Sequence, residues 1–164
     1  MLDRSPMDTR ALRTAFGCLP TGVAVVSLHD EAGKPTGVTV GSFGSLSLEP
    51  ALCLFSLGKS QASARLFTPG VPFVVNVLTD ALAPLAWQFA KPLEDKCAGV
   101  ALADTVVEAP RLRDALAHFA CRTHAIHDGG DHLIVVGEIV DFDHGDEGDA
   151  LVFWRGQMHR PTPV

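Results

Sequence analysis

Short apolar segments, some continuous and some alternating with polar residues, run along most of this chain between glycine- and proline-rich turns. Such segments predict β-strands, because apolar runs of about four to eight residues bounded by turn residues suit a sheet. Strands are predicted at 21–28, 37–48, 51–57, 73–78, 104–107, 115–126, 132–142 and 151–155. Helical spacing is seen only at 8–16, 61–67 and 80–90. Since no βαβ rhythm connects these elements, they favour a mainly β, antiparallel barrel with a few short helices filling gaps.

The length and composition of the chain predict a single folded domain. It has 164 residues, of which 47% are hydrophobic. We expect residues 1–8 to form a flexible N-terminus and residues 9–164 to form the domain. The net charge of −6, with scattered basic residues, argues against a nucleic-acid partner. No apolar run approaches the roughly 18 residues that cross a membrane, and no secretory signal is visible, so a cytoplasmic protein is expected.

The four cysteines do not predict a metal or redox site. They stand at positions 18, 53, 97 and 121, with no C-x-x-C spacing. We interpret them as reduced structural thiols. The histidines give no metal signal either, because His118 and His124 lie six residues apart on one predicted strand, roughly 20 Å at about 3.3 Å per residue. No H-x-x-x-H stands on a predicted helix, and no metal is expected.

Residues 36–65 form the segment with the most informative chemistry. Glycine and serine alternate with apolar residues over 37–48, which leaves one edge of the predicted strand almost without bulk. Pro50 ends this strand, and a buried strand follows. Next comes a turn that starts a predicted helix, with Ser60 as a plausible N-cap and Lys59 and Ser63 beside it. The segment therefore predicts a slot for a flat ring followed by a phosphate site, unless its glycines and serines are only turn formers.

The turn Gly130-Asp131-His132, at the start of a long predicted strand, is a second candidate motif. A histidine beside a tight turn can reach out of the sheet and hydrogen-bond a carboxamide or a phosphate. The alternative is that Asp131 only closes the turn and His132 is ordinary strand surface. Other catalytic motifs are missing from the sequence: it has no G-x-S-x-G elbow and no G-x-G-x-x-G opening a βαβ unit.

Three motifs, GVTVGSFGSLSLEP, FVVNVL and GGDH, resemble those of the flavin reductase-like family, the reductase partners of two-component flavin monooxygenases. The resemblance spans about residues 10–160. It implies an FMN-binding split β-barrel with Greek-key-like connections, normally a homodimer whose flavin lies at the subunit interface. The chain departs from the family pattern at Gly41, where asparagine is usual, at Cys97, where an aromatic residue is usual, and at Met158, near a usual tyrosine.

The resemblance also implies an activity and a set of site residues. Hydride would pass from NADH or NADPH to FMN, or to FAD, and the reduced flavin would serve a transient monooxygenase partner. His132 would position the nicotinamide ring as the catalytic residue. The implied cofactor-binding residues are Val38, Thr39, Val40, Gly41, Ser42, Phe43, Ser45, Ser56, Lys59, Ser60, Ser63, Phe89, Gly130, Asp131, His132 and Trp154. Two alternatives remain open: an FMN enzyme acting on another small molecule, and a non-catalytic flavin-binding or electron-carrier module.

Overall fold

Short helices flank the β-structure of this protein, whose computed structural model describes residues 6–164. Helix α1, Thr9–Phe16, begins at the N-cap Asp8, whose side chain accepts hydrogen bonds from the backbone N–H groups of Arg10 and Ala11, and it ends at Gly17. Helix α2, Ala83–Ala90, follows a 3-10 turn, Asp80–Leu82, and carries proline in its first turn, where that residue is tolerated. Among residues 6–164 no helix is long and apolar enough to cross a membrane.

In the described part of the chain, twelve strands fall into three sheets, all with antiparallel neighbours. The strands are β1 Thr21–Gly22, β2 Ala24–His29, β3 Pro35–Val40, β4 Gly44–Leu48, β5 Ala51–Gly58, β6 Pro72–Val77, β7 Leu102–Ala103, β8 Arg111–Leu112, β9 Ala117–Gly129, β10 His132–His144, β11 Val152–Trp154 and β12 Gln157–His159. The main sheet has the order β3-β2-β6-β9-β10-β5-β4. The small sheets are β1-β11-β12 and β7-β8. The predicted mainly β, antiparallel fold is confirmed.

The main sheet curls but does not close. Its edge strands are β3 and β4, and within residues 6–164 no ladder joins β3 to the other end of the sheet. Ser42, two residues beyond the end of β3, links this end of the sheet to β5: its hydroxyl accepts the Ser56 N–H at 2.8 Å and donates to the Ser56 carbonyl at 3.2 Å. The opening between β3 and β5 is therefore held by Ser42, and the candidate site lies there.

Several predicted elements are wrong in detail. Residues 37–48 do not form one strand, because the chain bends over 41–43 and β3 and β4 become opposite edges of the main sheet. The helix predicted at 61–67 is a 3-10 helix, Ala62–Leu66, whose N-cap is Gln61 rather than Ser60. Residues 104–107 are not a strand. The strand Gln157–His159 was not predicted.

Aromatic packing dominates the largest core cluster. The rings of Phe55, Phe67 and Phe73 meet edge to face with centroids 5.5 to 5.7 Å apart. Gly137 lies against this cluster, and a Cβ there would stand 2.5 Å from Phe73 Cζ. The β9–β10 ladder shifts register next to this glycine, so the predicted bulge is confirmed.

The asparagine of the FVVNVL motif has a structural position. Asn76 is fully buried, and its amide nitrogen donates to the Val25 carbonyl and to the Ser27 hydroxyl, both at 2.9 Å. Its side-chain oxygen accepts the Leu112 N–H at 2.8 Å. Because these bonds satisfy a buried amide, Asn76 joins β6 to β2 and β8. The motif therefore has a structural role in the fold, and it lies away from the candidate site.

Candidate functional site

A polar cleft of about 300 Å³ opens between the ends of β3 and β5. Its walls come from three parts of the chain that are far apart in sequence. The lining residues are Val38, Thr39, Val40, Gly41, Ser42, Ser56, Leu57, Gly58, Gln61 and His132. The bare segment and the histidine of the second motif, which the sequence treats as separate features, therefore border one cavity.

The pairing of β5 with β10 brings these parts together. In that ladder His132 stands opposite Gly58, and the Lys59 N–H donates to the Asp131 carbonyl at 2.9 Å. The turn that ends β5 thus lies beside the turn between β9 and β10. Gly130 occupies the left-handed region at φ 79°, which this tight turn requires.

His132 is oriented by its neighbour in the chain. Its Nδ1 lies 2.7 Å from Asp131 Oδ1, and a carboxylate can only accept, so Nδ1 carries the proton. This hydrogen bond from His132 lowers the pKa of Asp131. The other ring nitrogen, Nε2, lies 3.7 Å from the point that a Cβ on Gly58 would occupy. The half-exposed imidazole therefore presents Nε2 to the cleft and is available to hydrogen-bond a ligand.

An apolar cleft of about 200 Å³ lies on the other side of the β3 end. Its lining residues are Val23, Thr39, Val40, Gly41, Ala86, Trp87, Ala90, Phe153 and Met158. The rings of Trp87 and Phe153 meet edge to face with centroids 6.4 Å apart. The Thr39 hydroxyl donates to the Ala86 carbonyl at 2.7 Å and holds α2 against β3. Residues 39–41 are therefore the wall that both clefts share.

The two clefts fit the parts of a flavin. An isoalloxazine ring needs apolar surface for its faces and hydrogen-bonding groups for its polar edge. On one side of residues 39–41, aromatic side chains supply apolar surface. On the other side, hydroxyls, an amide and an imidazole supply hydrogen-bonding groups. Gly41 carries no side chain between them, and a Cβ there would stand 3.0 Å from Thr21 Oγ1. Gly41, at the position where the family has asparagine, therefore adds no side chain to the wall.

The predicted phosphate site is not assembled as expected. Lys59 forms an ion pair with Asp128, which lowers the pKa of that exposed carboxyl, and the lysine does not line the cleft. Ser60 is exposed and caps no helix. Ser63 is buried, and its hydroxyl has no hydrogen-bond partner among the described residues. The helix here is one short 3-10 turn, so its N–H groups do not form the predicted anion site.

Four other predicted contacts lie away from the clefts. Phe43 packs on Phe119 with ring centroids 5.4 Å apart, and Ser45 pairs with Cys53 within the β4–β5 hairpin. Phe89 is fully buried behind β3 and offers no surface to a ligand, so the structure does not support its predicted contact. Trp154 points away from the apolar cleft, with its indole N–H donated to the Cys18 carbonyl at 3.0 Å.

Some lining residues were missed or left in doubt. Gln61 follows the β5 turn and was taken only as part of a helix. Trp87 and Met158 line the apolar cleft, whereas the sequence comparison only questioned any role for the latter. Helical spacing could have identified Trp87, since it shares a face of α2 with Ala83 and Ala90 and not with the buried Phe89. Within residues 6–164 no three histidine, cysteine or carboxylate side chains cluster in a metal-binding arrangement.

The chain matches a family profile over most of its length. Residues 16–162 match the family described as "Flavin reductase like domain". Among curated proteins, the stachydrine N-demethylase reductase subunit Stc3 of Rhizobium meliloti is 38% identical over 94% of this chain and 67% of its own length. A probable flavin reductase of the same organism is 40% identical over 94% of this chain. The chain spans about half of that second relative, 49% of its length.

A solved structure shares the fold over nearly the whole of both chains. The NADH:FAD oxidoreductase SgcE6 of Streptomyces globisporus C-1027, in complex with NAD and FAD fragments, superposes with a TM-score of 0.90. The two sequences are 33% identical, and the match covers 97% of this chain and 96% of the other.

Proposed function

Because the chain belongs to the flavin reductase-like domain family, we propose that it is an NAD(P)H:flavin oxidoreductase that reduces FMN or FAD. The bound flavin supplies the electron-accepting ring, and the protein supplies binding, orientation and electrostatics. The observation that carries the proposal is the shared wall at residues 39–41, with aromatic surface on one side and His132 on the other. The wall therefore has apolar surface on one side and hydrogen-bonding groups on the other.

The residues of the polar cleft have separate roles in the proposed reaction. Ser42 fixes the backbone of the wall through its two bonds to Ser56. The N–H groups of this stretch favour negative charge at the edge of the ring. His132 stands across the cleft, with Asp131 fixing its tautomer, so its Nε2 orients the nicotinamide half of the second substrate. Gly58 leaves the space between these groups open.

Two features of helix α1 support a homodimer. Every residue of α1 is exposed in the single chain, including the apolar residues Leu12, Ala15 and Phe16, which share one face. Phe16 is 69% exposed, and the nearby Leu19 is 66% exposed. An apolar face of this kind marks a surface that another molecule covers. We assign that role to a second copy of the chain. A fully active monomer by light scattering at micromolar concentration would refute the assignment.

The flavin is proposed to leave after reduction and to serve a monooxygenase. Support comes from the Rhizobium meliloti relative, which is named as the reductase subunit of a demethylase. The expected result is that reduced flavin passes through an ultrafiltration membrane that retains the protein. Reduced flavin that stays with the protein would favour an enzyme with a tightly held cofactor.

The test of the activity is anaerobic reduction of free flavin. Catalytic amounts of the protein should bleach FMN or FAD with NADH or NADPH, much faster than the same mixture without protein. Riboflavin, FMN and FAD, each with both nicotinamide nucleotides, define the substrate pair. A protein that binds flavin but accelerates none of the six reactions would refute the enzyme and leave the flavin-carrier alternative.

A further inference from the structure

A third cleft, of about 560 Å³, lies between helix α1 and the turn that joins β11 to β12. Three of its lining residues are arginines, Arg10, Arg13 and Arg155, and we call it the arginine cleft. Thr14 adds a hydroxyl, and Gly17 and Gly156 add backbone without side chains. Three guanidinium groups in one concave surface stand out in a chain with a net charge of −6.

Helix α1 turns its cationic side toward this cleft and its apolar side away. Arg10, Arg13, Thr14 and Gly17 follow the spacing i, i+3, i+4, i+7, so they share one face of the helix. Leu12, Ala15 and Phe16 lie on the opposite face. A surface helix normally packs its apolar side against its own domain. In this chain the cationic side of α1 borders the cleft instead, and Arg10 and Arg13 are exposed there and available to a ligand.

Within residues 6–164, no carboxylate forms an ion pair with the three arginines of this cleft. The carboxylates that form ion pairs there pair with Lys59, Arg65, Arg160 and histidines. Three like charges that face one cavity repel one another unless an anion enters it.

One of the three arginines is held in place before any ligand binds. Arg155 adopts φ 50°, in the left-handed region, and its N–H donates to the Gly17 carbonyl at 3.0 Å. Its guanidinium carbon lies 4.7 Å from the centroid of the Trp154 ring, and that indole is itself bonded to the Cys18 carbonyl. A guanidinium fixed over an aromatic ring loses little freedom when it binds a phosphate. This gives Trp154 a role at the arginine cleft in place of the flavin contact predicted for it.

The arginine cleft is electrostatically connected to the polar cleft. Arg13 is close enough to Asp131 to help lower the pKa of that carboxyl, although the hydrogen bond from His132 has the larger effect.

We propose that the arginine cleft binds the phosphate groups of the adenosine half of a dinucleotide substrate. The inference rests on the proposed function, which supplies two candidate dinucleotides, FAD and NAD(P)H. Guanidinium forks suit phosphate oxygens, which they can bind in pairs. Arg10 and Arg13 lie just before residue 16, where the match to the family profile begins.

The direct test is calorimetric titration of the full chain with ADP and with adenosine 2′,5′-bisphosphate. Arg10→Ala and Arg13→Ala should each raise the Kd for ADP about tenfold, the effect of losing one charge-assisted contact. Arg13→Lys should fall between, because it keeps the charge and loses the fork. Arg122→Ala is the matched control, since Arg122 is exposed on β9 and lines none of the clefts described here. Riboflavin, which has no phosphate, should keep its wild-type Kd in all variants.

The outcomes separate this inference from the proposed function. ADP titration needs no catalysis, so loss of ADP binding in the arginine variants supports the cleft even if the protein reduces no flavin. A wild-type protein that reduces flavin but does not bind ADP at millimolar concentration would overturn the inference alone. Equal losses in Arg122→Ala and Arg13→Ala would also overturn it, since they indicate a general field effect.

The two dinucleotide sources are distinguished by the same variants. A larger loss for FAD than for FMN assigns the cleft to the flavin, and a raised KM for NADH or NADPH with FMN as acceptor assigns it to the nicotinamide nucleotide. A still larger loss for NADPH than for NADH points to contact with the 2′-phosphate. Unchanged affinity for both dinucleotides, with ADP binding lost, would refute the dinucleotide assignment.

Discussion

Replacement of Gly58 by alanine tests the polar cleft without disturbing the fold. Gly58 ends β5 on the lining of this cleft. A Cβ at this position would lie 3.6 Å from Gln61 Cγ, 3.7 Å from His132 Nε2 and 4.0 Å from Ser60 Oγ. These are ordinary van der Waals distances, and Gly58 is not among the glycines with positive φ. The folded chain therefore accommodates the methyl group, which then occupies ligand space.

Gly58→Ala should maintain or raise the stability of the fold and weaken the binding of a ligand. Alanine restricts the unfolded chain more than glycine does, so the free energy of unfolding should stay the same or rise by up to about 1 kcal/mol. A ligand that enters the cleft meets one extra methyl group, an overpacking that costs about 1–3 kcal/mol. This cost corresponds to a Kd for FMN that is roughly 5- to 150-fold higher.

The assay combines thermal unfolding with fluorescence titration of FMN. Gly44→Ala is the matched control, because Gly44 lies in β4 and no described atom lies within 4 Å of its Cβ position. The control should bind FMN like the wild-type protein. If Gly58→Ala also binds FMN with wild-type affinity while remaining folded, no ligand occupies the space between His132 and Gln61, and the site is wrong.

Four further predictions concern the site and its support. His132→Ala should slow the reduction of bound flavin in stopped flow about 5- to 150-fold, the equivalent of about 1–3 kcal/mol, and leave the affinity for oxidised flavin nearly intact. If the reduction rate and the nicotinamide affinity are both unchanged, His132 is only part of the strand surface. Ser42→Ala removes two hydrogen bonds to Ser56 and should lower the urea unfolding free energy by about 1–3 kcal/mol while weakening FMN binding; wild-type values for both would exclude the proposed support. Gly137→Ala should lower the free energy of unfolding by about 1–3 kcal/mol in the same urea assay, because its Cβ would overlap Phe73. A neutral effect would contradict that packing. Burial and the nearby Arg111 lower the pKa of His118, so the unfolded chain protonates first and stability should fall as the pH drops below about 6.5; His118→Gln should lack this loss, and identical pH profiles would refute it.

The position of the site was predictable where local sequence decides the structure. Glycine and serine over 37–48 predict bare backbone, and residues 38–42 do line the polar cleft. The turn at Gly130 was predictable too, because its positive φ demands a residue without a side chain. The convergence of this turn with Gly58 was not, since it depends on β5 pairing with β10, and strand periodicity does not specify the partner of a strand.

The mistaken contacts have a common physical cause. Adjacent residues of a strand face opposite sides, so Phe153 lines the apolar cleft and Trp154 faces away from it. That face is set by the pairing of β11 with β1 and β12, which local sequence does not reveal. Likewise, the packing of α2 on β3 buries Phe89 and leaves Trp87 at the apolar cleft. In both cases tertiary packing decides which of two nearby aromatic side chains lines the cleft.

The positions of the two tryptophans make the intrinsic fluorescence of this protein site-specific. The chain has two tryptophans and no tyrosine, so its near-ultraviolet emission arises almost entirely from Trp87 and Trp154. The first lines the apolar cleft, and the second lies under Arg155 at the arginine cleft. In Trp154→Phe the remaining emission should be quenched by flavin, whose absorption overlaps it, while in Trp87→Phe it should respond to ADP. A pair of single-tryptophan variants can thus time the arrival of each half of a dinucleotide in one rapid-mixing experiment without an added dye.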